Sequence, residues 1–248
     1  MIGDLPILEG DQVLDLACGD GAYSGWLLDR VGTTGSILAL DLLMAYLKKA
    51  RIGLKQVDGC NRSRFVAASI DRLPFADGRF DFVWCAQSLF SLPEPVEALR
   101  SMARVVRPGG HLAVLENDTM HQVLLPWPVD LELAIRSAEW DDFREDSENP
   151  RKFYVGRRLS KLFGEAGLGD IRRRTYATDR QSPLSQSERT FLLEYLKDLR
   201  ERVLPRLGSK FRKQMDTLTD PGSRNYLPDQ PDLAMTVIDH VVWGKLKA

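Results

Sequence analysis

The stretch Val13-Leu14-Asp15-Leu16-Ala17-Cys18-Gly19-Asp20-Gly21 decides the fold. A short apolar strand runs into a turn with two glycines, and one acid sits inside the strand. A second apolar run, Ser36-Ile37-Leu38-Ala39-Leu40-Asp41, ends on another acid. Glycine permits positive φ and lets backbone N–H groups approach a ligand closely. An acid closing the next strand is placed to accept hydrogen bonds from ribose hydroxyls. The pair describes a pocket for a nucleoside cofactor. A dinucleotide site would read G-x-G-x-x-G, but Ser24 stands where the third glycine belongs and Gly25 comes one step late. Such a site also has little use for a carboxylate within its first strand. Asp15 is therefore the discriminating residue.

Asp15-Leu16-Ala17-Cys18-Gly19-Asp20-Gly21 resembles motif I of the class I S-adenosylmethionine (SAM) methyltransferases, an apolar strand followed by D-x-G-x-G. Three later segments extend the resemblance in the family's order. Ser69-Ile70-Asp71-Arg72-Leu73-Pro74-Phe75 is similar to the D-A-x-x-L-P-F segment of small-molecule methyltransferases. Phe80-Asp81-Phe82-Val83 resembles the F-D-x-V fourth strand. Arg104-Val105-Val106-Arg107-Pro108-Gly109-Gly110 resembles L-R-P-G-G before the fifth. The likeness covers roughly residues 10–116 and is nearest to the type 11, ubiquinone-biosynthesis-like kind. It implies SAM as cofactor, S-adenosylhomocysteine as product and a small-molecule acceptor.

The totals agree with that class. The 248 residues suit one α/β domain, or one domain with a cap. A hydrophobic content of 44% supplies a large core, and a formal charge of −1 excludes a chain dominated by nucleic-acid affinity. No apolar run has the length of a membrane span, and no signal peptide is visible, so the chain reads as cytoplasmic. Cys18, Cys60 and Cys85 read as free thiols, and the three histidines are too scattered for a zinc site, so no metal is expected.

Strand and helix patterns alternate five times up to Glu116, which predicts a doubly wound, mostly parallel sheet. Helices are expected over residues 22–31 (Trp26, Leu27 and Val31 on one face), 44–53, 95–106, 129–140, 155–166, 188–203 and 210–218. Arg107-Pro108-Gly109-Gly110 is expected to stop the third, with a fifth strand over 111–116. Strands at 170–177 and 234–244 complete seven, the last antiparallel by the resemblance. The reading is a Rossmann-like methyltransferase domain over 1–248, with lid or acceptor-binding insertions at 117–152 and 181–230. The family carries helices before the first strand that close over the cofactor. Only ten residues precede it here, so the cover comes from elsewhere in the chain or the sequence is a piece of a longer one.

Ligands of open α/β sheets bind beyond the carboxyl ends of the strands, which sorts the candidates. For the cofactor these are Asp15, Ala17, Gly19 and Gly21, with Tyr23 over the methionine tail. Asp41 serves the ribose diol and Leu42 the adenine face. By resemblance Ser69 takes a position often held by Asp at the adenine amino group, with Ile70 as an apolar wall. Cys85 and Gln87 follow strand four at the methionine end. His121, just past strand five, is the candidate base, and Glu116 ends the same strand. Trp127, Trp140, Phe153 and Tyr154 are candidates for an aromatic wall.

Cys85-Ala86-Gln87-Ser88 lacks the D/N/S-P-P-Y/F motif that grips a flipped base, so a nucleic-acid acceptor is disfavoured. A macromolecular (RNA or protein) methyltransferase and a SAM- or S-adenosylhomocysteine-binding module without catalysis are the alternatives. A homodimer is compatible with the sequence.

Overall fold

The computed structural model describes residues 1–145 and 154–246. They form two compact units. The first holds Met1–Asn117, Tyr154–Tyr176 and the described residues from Asp239 onward. The second holds the described residues of 118–153 together with Ala177–Ile238.

In the first unit β1 (Gln12–Leu16), β2 (Ser36–Asp41), β3 (Ser63–Ala67), β4 (Phe80–Ala86) and β5 (Val106–Asn117) form a parallel sheet in the order β3-β2-β1-β4-β5. β8 (Ala234–Lys245) adds antiparallel to β5, from His111↔Lys245 to Asn117↔Asp239, and β7 (Gly169–Gln181) lies beside β8. These are the seven expected strands, with the antiparallel member last in sequence. Every central strand is apolar on both faces, because helices cover both. Leu14 and Leu16 of β1 join the core built by α3 (Pro95–Arg104) and α5 (Val155–Glu165). Val13, one residue out of phase, joins the opposite core with Leu27, Leu28 and Val31 of the helix α1 (Ala22–Arg30) segment. Asp15 shares the parity of Val13, so it faces α1. α2 (Met44–Leu54) buries Leu47, Ala50 and Leu54 on that same side.

Two local expectations are corrected. Trp26 is exposed, and the buried stripe of α1 is Ser24, Leu27 and Leu28. Ser24 with Leu27 and Leu28 follows the i, i+3, i+4 spacing, and Trp26 falls outside it, edge-on to Tyr23 at 5.6 Å. Arg107–Gly110 does not stand apart as a turn. β5 begins at Val106, paired with Phe80, and an irregularity in the β4–β5 register absorbs the Pro-Gly-Gly segment.

The second unit is mainly helical: α4 (Val129–Glu145), α6 (Gln186–Val203) and α7 (Ser209–Thr219). Its core gathers Leu131, Ile135, Leu192, Leu196, Leu199 and Met215. Ser185 starts α6 with a capping box, its hydroxyl accepting from Glu188 N–H while the Glu188 carboxylate accepts from Ser185 N–H. A two-residue strand, β6 (Val123–Leu124), pairs antiparallel with Val237 and Thr236. Among the described residues no helix is long and apolar enough to cross a membrane.

Candidate active site

The carboxyl ends of β1 and β4 each carry unusual backbone. Ala17 and Gln87 hold positive φ, 51° and 49°, without being glycine. Each directly follows a central strand, and such strain is retained where surrounding contacts hold it. Gly19 and Gly21 take φ of 56° and 85°. A Cβ on Gly19 would meet nothing within 4 Å, whereas one on Gly21 would come within 2.9 Å of Ala50 Cβ. The loop is thus open on one side and pressed on α2 on the other. Cys18 N–H donates to Leu40 C=O at 2.9 Å, and Gly21 N–H to Cys18 C=O at 2.9 Å.

Two carboxylates flank this loop. Asp41 is buried; its Oδ2 accepts from Gly19 N–H at 3.0 Å and its Oδ1 from Leu43 N–H at 2.8 Å. Each oxygen keeps a further lone pair. Asp15 is 1% exposed, and its Oδ2 accepts from the Ser24 hydroxyl at 2.5 Å. Burial pushes its carboxyl up to about 7, against the pull of Ser24, and the nearby Asp41 charge adds to the rise. Among the described residues no cation is bonded to Asp15. A buried acid held by one hydroxyl is a site that a ligand cation would satisfy.

The loop after β4 is tied down by the end of β5. Gln87 N–H donates to Leu115 C=O at 2.8 Å. Glu116 Oε1 then accepts from Ser88, Leu89 and Phe90 N–H at 3.1, 2.6 and 3.3 Å. Glu116 is buried, which lifts its carboxyl to about 7 although the three amides pull it down. This arrangement holds Gln87 in its strained conformation with its side chain exposed.

Residues 14–114 match the family described as methyltransferase domain. A demethylmenaquinone methyltransferase of Listeria monocytogenes is 28% identical over 176 residues, 67% of this chain and 73% of its own. A ubiquinone/menaquinone biosynthesis C-methyltransferase of Pseudomonas fluorescens is 40% identical over 110 residues, 44% of this chain and 43% of its own. In fold, a Bacillus halodurans protein described as a candidate methyltransferase superposes with a TM-score of 0.60 at 16% identity, covering 100% of this chain and 97% of that one. Over residues 14–114 the chain is thus similar to methyltransferase domains, and its fold is the Rossmann-like fold of methyltransferase structures.

The other predicted residues fall as follows. Tyr23 is half-buried and packs on the Trp84 ring at 5.3 Å, its hydroxyl raised by burial and by the charges of Asp239 and Asp15. Leu42 is exposed beside Asp41. Ala68 N–H donates to Asp41 C=O at 3.2 Å, which places the end of β3 next to that of β2. There Ser69 caps a short helical turn: its hydroxyl accepts from Asp71 N–H at 3.3 Å and donates to the Asp71 carboxylate at 3.2 Å. Ile70 is buried. Cys85 is fully buried in the α3–α5 core, where burial raises its thiol, so its side chain packs the sheet. His121 belongs to the second unit and is exposed, with Nδ1 3.4 Å from Asp118 Oδ1. Trp127 is core of that unit, and Phe153 lies outside the described residues. Ser24 and the amide-binding role of Glu116 escape the sequence. A buried serine one helical turn into α1 is the trace the first leaves; the second leaves none, since backbone amides have no letter.

Proposed function

We propose that Asp15 and Asp41 hold the two ends of SAM across the Gly19–Gly21 loop, and that a small-molecule acceptor is methylated beside the loop after β4. The observation that carries the reading is the pair of buried carboxylates flanking an open glycine loop. The residues present fit the group: one carboxylate with free lone pairs for a diol, one short of a cation, and Gly19 facing open space. When bound, SAM supplies an electrophilic methyl on a sulfonium whose departure leaves a neutral thioether, S-adenosylhomocysteine.

The protein's share is alignment and exclusion of water. Asp41 accepts the ribose hydroxyls while staying fixed by Gly19 and Leu43. Asp15 faces the cationic end, and its proton is released as that charge arrives. Gln87, held out by Glu116, meets the methionine portion. Leu42, Ser69 and Ile70 line the adenine side. The relatives act on quinone precursors by name, and we carry a lipophilic, ring-bearing acceptor to this chain.

Titration calorimetry with SAM and S-adenosylhomocysteine tests the reading. Both bind the wild type, and Asp41→Ala weakens both by about 1–3 kcal/mol. Equal affinity in wild type and variant removes Asp41 from the site.

A further inference from the structure

The start of α2 is built against ordinary helix chemistry. Its N-cap is Leu43, which makes no side-chain cap hydrogen bond, where Ser, Thr, Asp or Asn is favoured. Around it the chain exposes Leu42, Leu43, Met44, Tyr46 and Ile52, with Leu42 and Ile52 each 65% exposed. Leu43, Met44, Tyr46 and Ile52 put four large apolar side chains in water within ten residues, beyond Leu42, which the proposed function gives to the adenine side. The same segment carries Lys48, Lys49, Arg51 and Lys55, all exposed, and no acid stands between Asp41 and Asp58. Lys49 Nζ lies 5.8 Å from the Tyr46 ring centroid. The whole chain, these four cations included, has a formal net charge of −1.

We infer that the exposed Leu43–Ile52 segment is a docking surface for an anionic lipid bilayer. Charge and apolar surface decide the occupant together. A second copy of this chain would set the four cations against the same four in a two-fold contact. A nucleic acid would satisfy the cations and leave Leu43, Met44 and Ile52 in water, since phosphate contacts have no use for aliphatic chains. An anionic bilayer satisfies both: aliphatic side chains enter the headgroup–acyl boundary, and lysines and arginines remain at the phosphate level. Because the patch begins two residues past Asp41, docking also brings the carboxyl edge of β2 to the lipid surface. That last consequence rests on the proposed function; the docking does not.

Vesicle flotation of the full chain tests it, with phosphatidylcholine alone and with phosphatidylcholine mixed with phosphatidylglycerol. The wild type floats with the mixed vesicles, stays behind with the neutral ones, and is released by raised salt. Met44→Glu, and separately the double variant Lys48→Glu with Lys49→Glu, each weaken partition by about tenfold. Leu43→Ser also loses binding while gaining a cap, so it melts no lower than wild type and separates docking from folding. Binding to neither vesicle, or flotation that all these variants leave intact, overturns the assignment. A dimer in sedimentation equilibrium that Met44→Glu disperses gives the face to a second copy and overturns it equally. Calorimetry with S-adenosylhomocysteine on the same samples reports the cofactor site independently.

Discussion

The two units bury acids in opposite ways. In the first, Asp15 and Glu116 are enclosed without a cation: one is held by a serine hydroxyl, the other by three backbone amides. In the second, Glu139 is just as enclosed but lies between two guanidiniums, Arg136 Nη1 at 2.8 Å and Arg202 Nη1 at 3.3 Å. Burial still lifts the Glu139 carboxyl, though both arginines oppose it. The second arrangement balances its acid with cations and serves the packing of α4 on α6, although Arg136 Nε is buried without a hydrogen-bond partner among the described residues. The first leaves charge demand at the carboxyl edge of the sheet, where a cationic ligand can meet it. An unfinished electrostatic arrangement is thus the sign of a site, and a finished one the sign of a scaffold.

Removing the completed partner has the largest effect. Glu139→Ala takes the buried acid from two half-buried guanidiniums, which keep Glu132 and Asp198 as partners, and costs about 3 kcal/mol in urea unfolding. A loss below about 1 kcal/mol means that water solvates Arg136 and Arg202 in place of the acid, and the contrast fails.

Asp15 comes next and runs the other way. Its carboxyl, like that of Glu116, is lifted to about 7 from an ordinary value near 4. Between those limits the native state binds protons that the unfolded chain has released. Stability therefore falls as pH rises from about 4 through 7, and levels off above. Asp15→Asn removes one such proton: it flattens the slope and raises stability at pH 8 by roughly 2 kcal/mol, while weakening SAM binding. Stability measured from pH 4 to 8 checks this, and a wild-type curve that rises over that range contradicts it.

The smallest effect is local. Glu116→Gln weakens the bonds to Ser88, Leu89 and Phe90 by about 1 kcal/mol, so those amides exchange about fivefold faster while those of β1 keep their rate. Uniform acceleration across the sheet would instead make Glu116 an ordinary stabilising residue.

The sheet was legible because its signals are local. Runs such as Phe80–Cys85 name a strand buried on both faces, and the two-residue parity of Val13 and Asp15 against Leu14 and Leu16 even fixes which face the acid takes. The glycine loop and Asp41 were legible for the same reason, as backbone conformation and strand endings leave residue types behind. What stayed hidden depends on tertiary arrival. Ser24 reads as a missing glycine until α1 folds it onto Asp15. Glu116 gathers amides from a loop 26 to 28 positions away. Glu139 sits in an acid-rich helix that reads as solvated until Arg202 closes on it from α6. Trp26 misled because a large apolar letter was given a buried place that the i, i+3, i+4 stripe assigns to its neighbours.

One contact has reach beyond its size. Gly21 touches α2 at Ala50, two of the smallest residues meeting where any Cβ on the glycine would come within 2.9 Å. On the proposed function, the width of the nucleoside cleft is consequently gauged from behind, by a spacer that never meets the guest. A single carbon added at Gly21 would press on Ala50 and shift the whole turn that carries the proposed cofactor contacts.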